Sequence, residues 1–281
     1  MSWFRRLVTA TATLLCTPLA FGDGQGLVLG FGGEGDTAGG RAATLFADVG
    51  LGSRTWISGM LATARTGGGP ATLETRYADL AMDHWFAPVG VRLGAGYWGD
   101  DNILDSKDLR GSLYFRNEAI SLSANYERRE FDFTFSLDLL RRPRVVEFYS
   151  DGYGANARFK VNDTVALSLD GMIYDYSRDI NLQPNIDILR IFSTSRLALM
   201  NSLLDYRVGA GIDWTFGLRN VDLRVEQWQT AIDQGRVDSI GIGFLTPTSD
   251  FNDVEFRASF DYSEDFGKTM TFSVYFYFYR I

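Results

Sequence analysis

The residues able to do chemistry are few and scattered. His84 is the only histidine. An imidazole takes a serine proton when a third group orients it, but Asp83-His84-Trp85-Phe86 stands at a strand end beside the turn residues Ala87-Pro88. Gly30-Phe31-Gly32-Gly33-Glu34-Gly35 matches the G-x-G-x-x-G pattern and comes directly after Leu27-Val28-Leu29. A dinucleotide site needs a helix opening at the third glycine, so that its N-terminus meets the pyrophosphate. The next residues, Asp36-Thr37-Ala38-Gly39-Gly40, make a poor helix start, and the segment reads as a flexible loop around a first strand. Asp100, Asp101, Asn102, Asp105 and Asp108 offer oxygen ligands without the glycine turn and terminal glutamate of a calcium loop, so they read as a solvated acidic loop. Asn162-Asp163-Thr164 fits a glycosylation sequon but reads as a tight turn. The expectation is of no catalytic residue, no metal and no cofactor.

The N-terminus predicts export. Arg5 and Arg6 precede an uncharged, mostly apolar stretch from Leu7 to Leu19, and Ala20-Phe21-Gly22 places small residues where a signal peptidase reads. Residues 1–22 are therefore expected to be a cleaved signal peptide, and 23–281 one domain. Cys16 is the only cysteine and lies inside that segment; the leucine-rich Thr13-Leu14-Leu15 before it argues against an acylated lipoprotein cysteine. The mature chain then has no disulfide, no thiolate metal site and no cysteine nucleophile. Its formal charge, -8 for the whole sequence, becomes -10 without Arg5 and Arg6. That argues against nucleic acid as a partner, since phosphate binding wants a basic face. After the signal no window of about 18 uncharged apolar residues exists, which excludes a membrane-spanning helix.

The dominant pattern is alternation. Leu204 to Phe216 puts Leu, Tyr, Val, Ala, Ile, Trp and Phe on one face against Asp, Arg, two Gly, Asp and Thr. No helix sorts residues this way. Val254 to Tyr262 and Val89 to Trp98 repeat it, and further alternating segments lie at 40–51, 109–116, 119–126, 131–139, 153–161, 164–174 and 220–226. Less regular strands are expected at 55–65, 72–84 and 237–246, and a first strand at 25–33. Short polar turns such as Arg116-Asn117-Glu118 alternate with the longer connections 66–71, 99–108 and 177–203. Between 127 and 150 the apolar parity slips from even (Ile120, Leu122, Ala124, Tyr126) to odd (Phe131, Phe133, Phe135, Leu137). Such a slip predicts either a β-bulge in one strand or a turn between two.

The last strand runs Thr271-Phe272-Ser273-Val274-Tyr275-Phe276-Tyr277-Phe278-Tyr279-Arg280-Ile281. Tyr275, Tyr277, Tyr279 and Ile281 share one face, and Phe272, Val274, Phe276 and Phe278 the other. On a soluble sheet edge this strand would aggregate; it is tolerable where closure pairs the edge and one face meets lipid. At this point the chain resembles the outer-membrane β-barrel proteins of Gram-negative bacteria, whose last strand carries an assembly signal of alternating apolar residues. Tyr275, Tyr277, Tyr279 and Ile281 match that signal, although such strands usually end in Phe or Trp. The resemblance implies residence in the outer membrane, with its lipid and lipopolysaccharide and the barrel-assembly machinery as partners, and a possible envelope protein partner besides.

The expected fold is thus all-β, a closed antiparallel transmembrane β-barrel of about 14 strands, within a range of 12–16. Alternation then aims Arg92, Arg110, Arg116, Asp205, Arg207, Asp213, Asp222, Arg224, Glu226, Glu255, Arg257 and Asp261 into the lumen, with Arg158 and Lys160. Such charges are either a structural salt-bridge network or a charged constriction. Gly90, Gly94, Gly96, Gly152, Gly154, Gly209 and Gly211 read as gaps in that lining. Trp85, Trp98, Tyr126, Tyr206, Trp214 and Tyr262 read as an aromatic girdle near the strand ends. The expected function is a non-catalytic, passive pore or structural channel for small polar solutes. One alternative is the barrel component of an envelope export or assembly complex, since 177–203 carries Leu197, Leu199, Met200 and Leu203, able to plug the lumen or meet a partner. The other is an outer-membrane lipid hydrolase. Outer-membrane phospholipase and lipid A deacylases use a Ser–His pair at the outer rim, and His84 is expected at the opposite one.

Overall fold

The computed structural model describes residues 26–66, 73–100, 104–135, 144–180, 203–232, 234–264 and 267–280. The expected signal peptide and Ile281 lie outside them, as do Leu197, Leu199 and Met200. Within this range the chain forms β1 (Leu27–Asp36), β2 (Arg41–Gly50), β3 (Thr55–Thr66), β4 (Leu73–Trp85), β5 (Val89–Gly99), β6 (Leu104–Arg116) and β7 (Ile120–Phe135). It continues with β8 (Arg144–Lys160), β9 (Val165–Tyr176), β10 (Leu204–Phe216), β11 (Arg219–Thr230), β12 (Arg236–Ser249), β13 (Asn252–Ser263) and β14 (Gly267–Arg280). Each strand pairs antiparallel with its sequence neighbours, and β1 closes on β14 from Leu27↔Arg280 to Asp36↔Thr271. Closure removes both sheet edges, which is what makes an aromatic final strand tolerable.

One rim carries only tight connections: 51–54, 86–88, 117–119, 161–164, 217–218 and 250–251. The other carries all the long ones, including 136–143 and 177–203. The chain enters β1 and leaves β14 at the tight-turn rim. There Asn117 and Asn162 each accept backbone N–H groups through their side-chain oxygens at 2.8–2.9 Å, closing the turn around themselves. Lys160 donates to Asp163 at 2.8 Å in the same turn and holds its carboxyl below the usual carboxylate range.

Alternation sends one residue in two outward, and outward means apolar. Leu80, Leu109 and Ile173 are 62%, 66% and 60% exposed, and Phe31, Leu113, Leu169, Ile242 and Phe272 lie in the same belt. A belt this large would be an aggregation surface in water, whereas hydrocarbon is its natural solvent. Outward charges gather at the loop rim: Arg65 on β3, Arg128 and Glu130 on β7, Glu147 on β8 and Arg236 on β12.

The parity slip near 127–130 is neither a bulge nor a turn. β7 runs unbroken, in register from Leu104↔Phe133 to Arg116↔Ser121 on one side and from Phe135↔Arg144 to Ile120↔Phe159 on the other. What changes is the chemistry of the two faces. Below Glu127 the outward face is apolar and the inward face polar. Above it Arg128, Glu130 and Asp132 point out, while Phe131 and Phe133 point in and are 1% and 5% exposed. Register irregularities occur elsewhere, between Leu204 and Tyr206 and between Pro247 and Ser249.

Those inward aromatics belong to a layer that crosses the loop-rim end of the lumen. Ala62, Tyr77, Trp98, Leu104, Phe131 and Phe133 pack with Leu203 and Ile232, and Met60, Phe148, Tyr176 and Ile180 lean on the cluster. Leu203 and Ile232 come from the connections flanking β10 and β11, half the circumference away from β4. They are tied together by the Ala231 N–H donating to the Leu203 carbonyl at 2.9 Å. Leu203, expected from the sequence to join a plug or a partner patch, thus packs inside its own barrel.

Candidate channel lumen

The register places Arg92, Arg110, Arg116, Arg207, Asp213, Asp222, Arg224, Glu226, Glu255, Arg257 and Asp261 on the inward parity, with Arg158 and Lys160. Asp205 sits in the bulge between Leu204 and Tyr206, where β10 and β11 lose step. A comparable weight of acids not expected there shares the inward face: Glu34, Asp48, Asp79, Asp83, Asp108, Glu127, Asp170 and Asp253. Alternation alone is signal enough to find them, since each stands at odd spacing from apolar outward neighbours.

Many of these charges are paired, and four of the contacts share one construction. A long side chain crosses a glycine on the adjacent strand and meets a partner on the strand beyond. Tyr114 on β6 lies across Gly90 on β5 and donates to Asp83 on β4 at 2.6 Å. Arg110 on β6 crosses the same glycine-rich strand to Asp79, while its Nε reaches Asp108 at 2.8 Å. Arg224 on β11 passes over Gly209 on β10 to Asp170 on β9, and its Nε donates to Glu226 at 2.7 Å. Tyr174 on β9 covers Gly152 and meets Glu127 on β7 at 3.3 Å. Gly90, Gly94, Gly152 and Gly209 are therefore not gaps in the lining but the floor over which these braces lie. Gly90→Ala would place a Cβ inside the Tyr114 ring and drive it off Asp83. A loss of about 1–3 kcal/mol is expected in a denaturant titration of the refolded barrel, with no loss of strand content by circular dichroism.

The other charges are not evenly spread. On β5–β8 the inward cations Arg92, Arg116 and Arg158 face the lumen near the tight-turn rim. Arg158 meets Asp213 at 3.2 Å, Arg116 lies 5.5 Å over the Trp85 ring, and Arg92 makes no ion pair among the described residues. Half a circumference away, β13 and β2 present Asp48, Asp253 and Glu255 toward the same rim, with Glu34 and Asp261 nearer the loop rim. Glu255 meets Arg257 at 2.6 Å. Hydroxyls serve this wall as well: Tyr275 donates to Glu34 at 2.5 Å and Tyr279 to Asp253 at 3.0 Å, with Tyr277 bonded to Glu255. A tyrosine hydroxyl satisfies a carboxylate without neutralising it, so this wall keeps negative charge. The tyrosine face of β14, nearly nonpolar by composition, is a row of hydrogen-bond donors.

No protein-family model matches the chain, and no curated protein sequence does. Solved structures do. A monoaromatic hydrocarbon channel, CymD, superposes with a TM-score of 0.60 at 14% identity, over 91% of this chain and 88% of that one. The KdgM porin covers 89% of this chain and 98% of its own at a TM-score of 0.45 and 8% identity. A mutant porin of Rh. blastica covers 91% and 99% at 0.44 and 13%. The fold is that of an outer-membrane β-barrel. At these identities the likeness concerns architecture, and the residues lining this barrel are its own.

The remaining motifs take their places in the barrel. Gly30-Phe31-Gly32-Gly33-Glu34-Gly35 is the middle of β1, with Gly30 beneath the Phe46 ring and Gly32 beneath Tyr275. It is a strand rather than the loop expected. Asp105 and Asp108, expected in a loop, are part of β6: Asp105 points outward and accepts from the Tyr97 hydroxyl at 2.9 Å, while Asp108 points in. Trp85 and Trp98 face the lumen instead of a lipid girdle, whereas Tyr126 and Tyr262 face out. His84 faces outward at the tight-turn rim, with Thr55 Oγ1 at 2.7 Å from Nδ1 and the Phe86 ring edge-on at 4.5 Å. Neither a serine nor a carboxylate partners it among the described residues.

Proposed function

We propose that this protein is a passive channel for small polar solutes in the bacterial outer membrane, delivered there by a cleaved signal at residues 1–22. The observation that carries the reading is the opposition of charge across the lumen, cations on β5–β8 against hydroxyl-held carboxylates on β13–β2. A polar solute passing between such walls exchanges water for fixed charges of both signs. The charged residues expected to line the lumen take this role, with Tyr275, Tyr277 and Tyr279 serving both as lining and as part of the assembly signal completed by Ile281. Lipid and lipopolysaccharide surround the apolar belt, and the barrel-assembly machinery inserts the chain. The burial of Leu203 and the packing of Ile180 inside the barrel favour the self-contained channel over an envelope assembly component, because they remove apolar surface that a partner would need.

The reading is tested by swelling of liposomes holding the refolded protein. Glycine and glycerol should enter at rates above protein-free vesicles and a disaccharide markedly slower. Vesicles that stay shut to all three, with the protein inserted and folded, would refute it.

A further inference from the structure

Beneath the apolar layer the lumen holds a cavity of about 290 Å³, bounded by β1–β5 on one side and by β10, β11 and β14 on the other. Its apolar wall is made by Ala62, Tyr77, Trp98, Leu204 and Trp228. Three ionic side chains look onto it: Glu34, Glu226 and Arg207. Both carboxylates are already engaged, Glu34 by the Tyr275 hydroxyl at 2.5 Å and Glu226 by Arg224 Nε at 2.7 Å. Arg207 differs, because its guanidinium makes no hydrogen bond and no ion pair among the described residues. Trp228 on the same wall is 2% exposed, and its indole N–H has no acceptor among them. The cavity therefore offers donors without acceptors against an apolar surface, while its own acceptors are occupied.

We infer that this cavity is a binding site for a small organic monoanion, a carboxylate carried on a flat apolar body. A guanidinium presents a planar fork of N–H groups that matches a carboxylate in bidentate fashion. The Trp228 N–H is buried without an acceptor, which is costly, while the Arg207 guanidinium opposite it is exposed to the lumen and free to exchange water for an anion; a group that accepts but does not donate suits both. A cation is not the complement, since neither carboxylate is free to receive it. The size also limits the ligand: at roughly 30 Å³ per water the cavity holds about ten waters, which suits a single ring with its carboxylate. The inference rests on the channel reading, because the ligand reaches the cavity through the lumen.

Benzoate is the probe, with benzamide as its neutral counterpart and acetate as the anion without a body. Binding is measured on the detergent-solubilised, refolded protein by calorimetry and by tryptophan fluorescence, neither of which requires conduction. Benzoate should bind at least about tenfold more tightly than benzamide or acetate, and Arg207→Gln should abolish that preference. Trp228→Phe should weaken benzoate and remove most of the fluorescence change, an independent readout if Arg207→Gln does not refold. Equal binding of benzoate and benzamide, or no benzoate binding to a barrel that conducts, overturns the site and leaves the channel standing. Benzoate binding to a barrel that does not conduct supports the site and defeats the channel reading instead.

Discussion

Trp98→Ala is expected to enlarge the unit conductance severalfold and to lower the unfolding free energy by about 3–5 kcal/mol. The two effects have one cause. Trp98 is 2% exposed and sits where the apolar layer at the loop rim meets the cavity beneath it. Removing the indole takes a large side chain out of a packed cluster that includes Tyr77, Phe131 and Leu203, and the void joins an existing cavity that leads into the lumen. Collapse is opposed by closure of the barrel, which fixes the positions of β4, β5 and β6 around the gap. Denaturant titration reads the stability loss and a planar bilayer reads the conductance. A destabilised barrel with unchanged conductance would mean that the apolar layer is a structural core and not the constriction.

Arg129→Met is expected to be comparably damaging, at about 3–5 kcal/mol, for an electrostatic reason. Arg129 and Glu127 stand two apart on the inward face of β7, both side chains 7% exposed, with Nε to Oε1 at 2.6 Å. The guanidinium also donates to the Tyr174 hydroxyl at 3.1 Å and lies 4.8 Å over its ring. Taking it away leaves Glu127 a buried charge without its cation. The double replacement Glu127→Gln with Arg129→Met removes the orphaned charge and should recover most of the loss, a coupling that urea titration of the four proteins of the cycle will measure. Additive losses would contradict this account of the pair.

The barrel is legible in the sequence because alternation is the mark of a sheet with two different solvents. Leu204 to Phe216 and Val254 to Tyr262 declare their faces without ambiguity, and both form strands within two residues of the expected bounds. The same rule misleads at β7 when apolar is taken always to mean outward. Above the belt the solvents exchange: water wets the outside around Arg128 and Glu130, and the interior turns apolar around Phe131 and Phe133. The backbone keeps its parity while the chemistry inverts, which imitates a slip in register. Pairings across the glycines stay hidden in a linear sequence, because Tyr114 with Asp83 and Arg224 with Asp170 join residues 31 and 54 apart and skip a strand. The cavity below the apolar layer is out of reach for the same reason: it unites residues from opposite walls. Arg207 is expected in the lumen from parity, but only its neighbours in space reveal that it lacks a partner among the described residues.

The most direct test of the channel is single-channel recording of the purified, refolded protein in a planar bilayer. Discrete conductance steps that scale with salt are expected, with a changed charge selectivity when Arg92 and Arg116 are neutralised. A bilayer that stays silent while the inserted barrel is demonstrably folded would contradict the channel reading.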